Sequence, residues 1–345
     1  MFRLMALALA VSGLCLGSSA RADDAEDKAV AFVEKLGGTV TRDEKAPGKP
    51  VVDVNLRFRP VTDAELKELA PLKNLTALNL LASNVTDVGL KELVQFKNLT
   101  ALNLGDSKVT DAGLKELAAL TNLTTLDVTR TKVTDAGVKE LAPLKNLTTL
   151  ILSLNPITDA GVKELAAFKT LTTLGLGNTH VTDVGVKELT AFQNLTTLYL
   201  WGNLRPTEAG LKQLAALKNL STLSLGLTNV TDEVLKELVA LKSLTALYIG
   251  HSKVTDAGLK ELAPLKNLTT LYLDNTRVTD AGLKELAALK NLTTLNLGGT
   301  VVTDAGLKEL AALKNLTLLY LRETKVTDAA VKELQKTLFK CEIEK

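Results

Sequence analysis

A string of about 24 residues recurs from about residue 50 almost to the C-terminus, and this repeat limits the possible folds more than any other feature. The copy at residues 278–300 reads VTDAGLKELAALKNLTTLNLGGT. Its second half, NLTTLNL, alternates apolar and polar residues as a half-buried strand does. Its first half, TDAGLKELAALK, spaces apolar residues three and four apart, as on one face of a helix. One strand and one helix per repeat predict an α/β solenoid.

The strand segments keep their register over twelve units. Every spacing between them is 24 residues except one of 25, between Asn194 and Asn219. The segments begin at Pro50, Asn74, Asn98, Asn122, Asn146, Thr170, Asn194, Asn219, Ser243, Asn267, Asn291 and Asn315. A truncated further strand is predicted at residues 339–345, where Cys341 and Ile343 close the far end of the core.

Within each unit the roles of the residues follow from strand and helix geometry. In the unit at Asn267, the leucines at 268, 271 and 273 are predicted to point inward and residues 270, 272 and 274 outward. Thr276 and the Ser, Thr or Asn at the same turn of other units are predicted to bond backbone groups of the neighbouring coil. Thr279-Asp280 is predicted to cap the helix. Asn291 is predicted to end it in a left-handed conformation.

The first 22 residues are typical of an export signal peptide. Arg3 gives a positive start, residues 4–16 an apolar centre, and Ala20-Arg21-Ala22 a cleavage site with small outer residues. The apolar run is too short to span a bilayer. Lipidation of Cys15 is the alternative, although Leu14 stands where such signals prefer a small residue. We therefore expect the mature chain in the periplasm, on the cell surface or in the medium.

The rest of the chain divides into three parts. Residues 23–49 hold an amphipathic helix from Asp23 to Leu36 and a short strand at 39–42, and we interpret them as an N-terminal cap that shields the first repeat from water. A separate binding element is the alternative. Residues 50–338 form the solenoid of twelve units, and residues 339–345 form a C-terminal cap.

Charge, cysteine content and the two histidines narrow the possible functions. Without Arg3 and Arg21 the chain carries 39 basic and 39 acidic residues, so it lacks the basic surplus of nucleic-acid binding proteins. After the signal peptide Cys341 is the single cysteine, which excludes an internal disulfide. His180 and His251 lie in different units with no nucleophile or metal ligand at useful spacing. We predict a non-enzymatic monomer with no cofactor or metal.

The pattern L-x-x-L-x-L-x-x-[S/T/N] resembles the leucine-rich repeat family over about 290 of the 345 residues. The continuation V-T-D-x-G-L-K-E-L-A is similar to the subtype of bacterial exported repeat proteins and of F-box adaptor proteins. Thr or Ser mostly replaces the family's Asn at the turn, and no F-box is recognisable before the array. The resemblance implies a curved right-handed solenoid with a parallel β-sheet on the concave face and helices on the convex face. It also implies binding of another macromolecule along the sheet.

Aromatic residues provide the sharpest candidate site. All four tyrosines occupy the same outward strand position, and the single tryptophan is the next outward residue after Tyr199. Aromatic anchors with polar neighbours are typical of interface hot spots, although tyrosine also simply suits an exposed strand. The predicted partner-binding residues are Tyr199, Trp201, Tyr248, His251, Tyr272, Asp274, Asn296, Tyr320 and Arg322.

One irregular turn lies beside this candidate site. It reads WGNLRPTEAG at residues 201–210, carries one extra residue, and predicts that Asn203 and Arg205 project toward the sheet. Sequence drift in one of many similar repeats would explain the extra residue nearly as well as a role in binding.

Three classes of partner remain open. A protein or peptide is the first. A carbohydrate is the second, because rings flanked by Asp and Asn also suit sugar stacking. A ubiquitin-ligase-type adaptor or effector is the third, and it would need an F-box-like helix pair. The repeated Asn-Leu-Thr is formally a glycosylation signal, but the cap and the core already explain its residues.

Overall fold

The computed structural model describes the backbone of residues 17–345 and the side chains from Asp24 onward. The described residues form one 14-stranded sheet whose strands follow each other in sequence order. The first pair of strands is antiparallel and the later pairs are parallel. The sheet is open, and helices alternate with its strands, so the predicted α/β solenoid is confirmed. The predicted signal peptide falls largely on residues 1–16, which lie outside the described residues.

The strands are short, and most hold three residues. They are β1 (Thr39–Arg42), β2 (Val51–Asn55), β3 (Ala77–Asn79), β4 (Ala101–Asn103), β5 (Thr125–Asp127), β6 (Thr149–Ile151), β7 (Thr173–Gly175), β8 (Thr197–Tyr199), β9 (Thr222–Ser224), β10 (Ala246–Tyr248), β11 (Thr270–Tyr272), β12 (Thr294–Asn296), β13 (Leu318–Tyr320) and β14 (Glu342–Glu344).

The helices lie on the opposite side of the core from the exposed strand residues. They are α1 (Gly17–Lys35), α2 (Asp87–Leu93), α3 (Asp111–Leu117), α4 (Asp135–Glu140), α5 (Asp159–Glu164), α6 (Asp183–Leu189), α7 (Glu208–Lys212), α8 (Asp232–Leu238), α9 (Asp256–Glu261), α10 (Asp280–Leu283), α11 (Asp304–Leu307) and α12 (Asp328–Thr337). 3-10 turns lie at Glu65–Leu69, Leu165–Ala167, Gln213–Ala216, Lys284–Ala288 and Lys308–Ala312. None of the helices within residues 17–345 combines the length and apolar character that crossing a bilayer requires.

Stacked leucines form one continuous core. In the coil of β11, Leu268, Leu271 and Leu273 are fully buried, and so are Leu283 and Leu286 on the helical side. The same positions are buried in the coils before and after it. Each leucine therefore packs against its counterparts on both sides, which is how a solenoid buries a core that no single unit holds. These inward positions are as the sequence predicts.

An aspartate–threonine ladder joins the coils where their helices begin. Thr279 caps α10 as predicted, since its Oγ1 accepts a hydrogen bond from the Ala281 N–H at 3.2 Å. The carboxylate of Asp256, one coil earlier, accepts bonds from the N–H of Thr279 at 2.8 Å and from its hydroxyl at 2.7 Å. The same two bonds recur along the array, from Asp63 with Thr86 to Asp304 with Thr327. From the sequence we predict only that each aspartate stabilises the start of its own helix. The structure adds the bond from each aspartate to the threonine of the next coil.

This ladder explains the glycine of the D-A-G motif. A Cβ atom at Gly282 would overlap Oδ1 of Asp256, and the other D-A-G glycines meet the same obstacle. The exception supports the explanation. Where Glu208 replaces the aspartate, its longer side chain accepts a bond from the Thr231 hydroxyl at 2.9 Å but none from the Thr231 N–H, and Val234 occupies the glycine position of the next coil.

The asparagine that precedes each strand has a different role from the predicted one. Asn291 is not left-handed; its Nδ2 donates to the carbonyl of Lys266 in the preceding coil at 2.8 Å. The left-handed residue of each coil lies at the other end of the strand, as at His251 and Asn275, both with φ of 54°.

The turn after each strand also departs from the prediction. The hydroxyl of Thr276 donates to Leu273 of its own coil at 2.6 Å rather than to a neighbour. Among the turn side chains of the described coils, the asparagines are those that bond backbone groups of a neighbouring coil. Nδ2 of Asn203 donates to Leu176 at 2.7 Å and to Leu200 at 2.9 Å, while its Oδ1 accepts from the Thr179 N–H at 3.1 Å. An amide spans the gap because it is longer than a hydroxyl and carries donor and acceptor on separate atoms.

Both ends of the core are covered within the described residues. Glu26 on α1 accepts from Arg42 at 2.7 Å and from the Val51 N–H at 3.0 Å, which ties the helix to β1 and β2. At the far end the Cys341 side chain is buried, and burial raises the pKa of its thiol to about 11. The thiol therefore stays protonated and unreactive. We retain the division into signal, caps and solenoid as a proposal.

Candidate binding surface on the sheet face

The sheet face consists of the strand side chains that point away from the helices. Its middle row, called the central row here, is aligned residue by residue across the parallel strands. The central row reads Asn55, Asn79, Asn103, Asp127, Ile151, Gly175, Tyr199, Ser224, Tyr248, Tyr272, Asn296, Tyr320 and Glu344. Apart from Ile151 the row is polar or small in its first half, and all its aromatic residues lie in the second half.

Three of the predicted rings contact one another and form a tyrosine cluster: Tyr248, Tyr272 and Tyr320. The rings of Tyr248 and Tyr272 are 4.9 Å apart between centroids and tilted by 43°. Those of Tyr272 and Tyr320 are 6.2 Å apart and tilted by 46°. Strands two apart lie roughly 10 Å from each other, so the last two rings lean together over Asn296. All three are half-buried.

The structure does not bring the other two predicted rings into this cluster. Tyr199 is separated from Tyr248 by Ser224, which occupies the central row between them. Trp201 lies in the next outward row, and its indole fills the space above Gly177, one strand toward the N-terminus. The sequence predicts all five rings on this face and already has Ser224 at the break in β9, but it could not show that the Trp201 indole lies over Gly177.

The predicted polar residues gather beside the tyrosine cluster. Oδ1 of Asp274 accepts from Nδ2 of Asn296 at 3.3 Å, and its Oδ2 lies 3.4 Å from Nε2 of His251. The carboxylate of Asp274 covers Gly250, the second residue after Tyr248 and the end of β10. Arg322 turns to the last strand instead, where its Nη2 donates to Glu344 at 2.9 Å.

The pKa values of two phenols in the cluster lie above the ordinary value. Burial raises the pKa of Tyr248 above the ordinary 10.0, and the nearby Tyr199 adds to the effect. Burial also raises the pKa of Tyr272, with Tyr320, Tyr248 and Asp274 as further causes. Both hydroxyls therefore remain hydrogen-bond donors at neutral pH, and both rings keep an uncharged face.

The first half of the sheet face holds a shallow polar depression that the sequence did not single out. It lies over β2–β6 and includes Asp53, Asn79, Asn103, Asp127 and Ile151. Oδ1 of Asn103 accepts from the Gly105 N–H at 2.9 Å, and its Nδ2 lies 3.4 Å from Oδ2 of Asp127. The repeated Asn at the position of the later tyrosines was the available signal.

The structure shows two features that bear on catalysis and on the irregular turn. Within the described residues no three metal-ligating side chains cluster, and His180 is exposed. The prediction for Asn203 is wrong, since this side chain is buried as a bridge between coils. Arg205 is exposed, and the neighbouring Leu204 is 70% exposed.

Comparisons with known families identify the repeat. A family model described as Leucine Rich repeat matches residues 97–118, 119–142, 144–166 and 240–263. A model described as Leucine Rich repeats (2 copies) matches residues 266–309. A search of curated proteins finds no match.

Solved structures share the architecture. An internalin from Listeria monocytogenes is 23% identical with a TM-score of 0.53, and the match covers 94% of both chains. A structure described as a TDR receptor is 17% identical with a TM-score of 0.53, over 83% of this chain and 50% of its own. A leucine-rich repeat protein from Leptospira interrogans is 28% identical over 81% of this chain and 80% of its own, with a TM-score of 0.48. The first two similarities establish the fold and leave the ligand open.

Proposed function

The protein is a leucine-rich repeat protein, and from that premise we propose that it is a non-catalytic scaffold that binds a protein or peptide on its sheet face. The observation that carries the proposal is the tyrosine cluster. Its rings are half-buried and in contact along a row that, apart from Tyr199 and Ile151, holds small or polar side chains elsewhere. The scaffold itself gives these rings no structural task, because the matching positions of the other coils fold with Asn, Asp, Ile, Gly or Ser.

Aromatic clusters of this kind suit recognition for energetic reasons. Tyrosine presents a large apolar area with a polar tip and has only two side-chain torsions to immobilise. The three rings stand on β10, β11 and β13 of a sheet whose backbone is fixed by ladder hydrogen bonds. Little conformational entropy is then lost on binding, which favours a hot spot at this position.

The proposed location is outside the cytoplasm. The support is the composition of residues 1–22, with Arg3 near the start, an apolar centre and a small-x-small site. Determining the N-terminal residue of the mature protein by mass spectrometry tests this point. A chain that starts at Asp23 supports export, and an uncleaved chain recovered from the cytoplasm contradicts it.

The function is tested by site-specific photo-crosslinking at two matched positions. Asn296 lies between Tyr272 and Tyr320, and Asn103 occupies the same position on β4. In both, Oδ1 accepts a backbone N–H from the second residue ahead at 2.9 Å. A photoreactive amino acid at 296 should crosslink a protein or peptide in the native compartment, and the same group at 103 should crosslink it far less.

Two outcomes would contradict the proposal. Equal crosslinking at 103 and 296 would remove the tyrosine cluster from the binding surface. Failure to crosslink any polypeptide, together with specific binding on a glycan array that is lost in Tyr248→Ala/Tyr272→Ala, would replace it with the carbohydrate alternative.

A further inference from the structure

The sheet face carries a charge bias that the whole chain does not. The chain has 41 basic and 39 acidic residues. At the outward positions of β2–β14 and at the second residue after each of these strands, however, no lysine occurs. The charged residues at these positions are Asp53, Arg57, Asp127, Asp274, Arg322, Glu342 and Glu344. Lysines lie instead on the helices and on the turns at both rims of the sheet, so the floor of the sheet face is acidic.

One of these carboxylates stands directly beside the tyrosine cluster. Asp274 covers Gly250 next to Tyr248, and it contributes to the raised pKa of Tyr272. Its side chain is 23% exposed, so water screens its charge only in part. Its polar contacts are Asn296 and the imidazole of His251. Within the described residues no Lys or Arg lies within ion-pair distance of the Asp274 carboxylate.

The ring faces of the cluster are also open to a cation. In the described residues the cations that lie over aromatic rings are Arg57 over Phe58 and Lys340 over Phe339, both remote from the cluster. Arg322 follows Tyr320 by two residues, but Glu344 holds its guanidinium. Tyrosine faces attract ammonium and guanidinium groups, and a carboxylate at the same place adds to the attraction.

We infer that the partner is recognised through a Lys or Arg side chain that lies on the faces of Tyr248 and Tyr272 with its charge against Asp274. This inference rests on the proposed function, because it specifies the chemistry of the peptide that the sheet face binds. The occupant is an extended basic segment of another protein. The lysine-free floor fits such a segment by charge complementarity, whereas an acidic segment would meet like charge there.

The test is selection from a random library of linear peptides displayed on phage. The library is selected on the mature protein and counter-selected on Tyr248→Ala/Tyr272→Ala, which removes peptides that bind elsewhere. The retained peptides should be enriched in Lys or Arg. Isothermal titration of one synthetic peptide should show binding about tenfold weaker to Asp274→Asn than to the wild type. The control variant Asp127→Asn makes the same change of charge in the first half of the sheet face, and its affinity should stay within about twofold of wild type.

The outcomes separate this inference from the proposed function. If counter-selection leaves no peptide, the binding surface itself is wrong. If peptides remain but lack basic residues, or bind Asp274→Asn as tightly as the wild type, the cation site is wrong and the surface stands. Replacing each Arg of the peptide by citrulline or each Lys by norleucine tests the same site without altering the protein. Unchanged affinity of that neutral peptide would also overturn the inference.

Discussion

Asn103 and Asn296 occupy the same position in the two halves of the sheet face, and their comparison separates scaffold from recognition. Each Oδ1 accepts a backbone N–H at 2.9 Å, and each Nδ2 lies near an aspartate, at 3.4 Å from Asp127 and 3.3 Å from Asp274. Their neighbours on the central row differ: Asn79 and Asp127 in one half, Tyr272 and Tyr320 in the other. Identical backbone geometry therefore presents two different surfaces.

The comparison shows that the residue type at the outward strand positions differs from coil to coil, whereas the inward positions hold the same apolar residues. Apart from the exception at Glu208, the buried leucines, the aspartate–threonine ladder and most of the asparagines that precede the strands recur in both halves. Stability should then respond equally to changes in either half, and binding should respond to only one. The predictions below use matched pairs of variants to test that separation.

The largest expected effect is on stability and should not distinguish the halves. Leu126 and Leu271 are both fully buried at the same inward position. Either Leu→Ala change should cost about 2–5 kcal/mol because it leaves a cavity in a core that two neighbouring coils share. Urea denaturation of the two variants measures this cost. A loss in one half that is several-fold larger than in the other would show that the scaffold is not uniform.

The ladder at the helix starts gives the next largest effect. Asp256→Ala removes two hydrogen bonds to Thr279, and Asp111→Ala removes two to Thr134. Each should cost about 1.5–3 kcal/mol, as expected for hydrogen bonds to a charged group. Glu208→Ala should cost less, because Glu208 accepts a single bond from Thr231. An equal loss for Glu208→Ala would contradict the role assigned to the ladder.

Acid should affect the two ends of the array in opposite directions. Bonds from the N–H and hydroxyl of Thr327 lower the pKa of Asp304 below the ordinary 3.8, so its contribution is present above that value and is lost as pH falls through the lower folded pKa. Burial raises the pKa of Asp53, so its ionised form opposes folding and acid relieves this cost.

Hydrogen exchange followed from neutral pH to below about pH 4 measures this difference. Protection should fall first around α12 while β2 keeps or gains protection. The variant Asp304→Asn should lose part of the acid dependence at α12, because the bond from Lys345 also lowers the pKa of Asp328 at the start of that helix. Uniform loss of protection along the chain would contradict the assignment.

The smallest effect concerns the phenols of the tyrosine cluster. Burial raises the pKa of Tyr248 and Tyr272 above 10.0, so these two should ionise later than a free tyrosine as pH rises. Ultraviolet titration of wild type against Tyr248→Phe/Tyr272→Phe should show that the variant lacks the late part of the transition. A late phase that persists in the variant would mean that these rings are not the shielded ones.

The fold can be predicted well from the sequence because twelve units carry the same pattern of apolar and polar positions. Alternation around Leu271 and the helical spacing of Leu283 and Leu286 leave one arrangement that buries every leucine. The outward position of Tyr248 and Tyr272 follows from the same alternation. What the pattern cannot give is the direction in which a side chain leans once it is outside the core.

The contacts that were not predicted from the sequence have one cause in common, because each of them joins a residue to a neighbouring coil. Trp201 lies over Gly177 because glycine leaves room there, which is a contact between coils rather than within one. Asp256 serves Thr279 of the next coil, and Asn291 serves Lys266 of the previous one. Reading one repeat at a time assigns such residues to their own helix. In a stacked array, polar side chains near a turn should first be tested against the neighbouring coils.

The most direct test of the central claim compares two double variants for binding of the crosslinked partner. Tyr248→Ala/Tyr272→Ala alters the tyrosine cluster, and Asn79→Ala/Asn103→Ala alters the same row in the first half. We expect the tyrosine variant to lose binding by at least about a hundredfold, as for hot-spot aromatics, with a melting temperature close to wild type. The asparagine variant should bind as the wild type does. Equal affinity of the two variants for the partner would contradict the account.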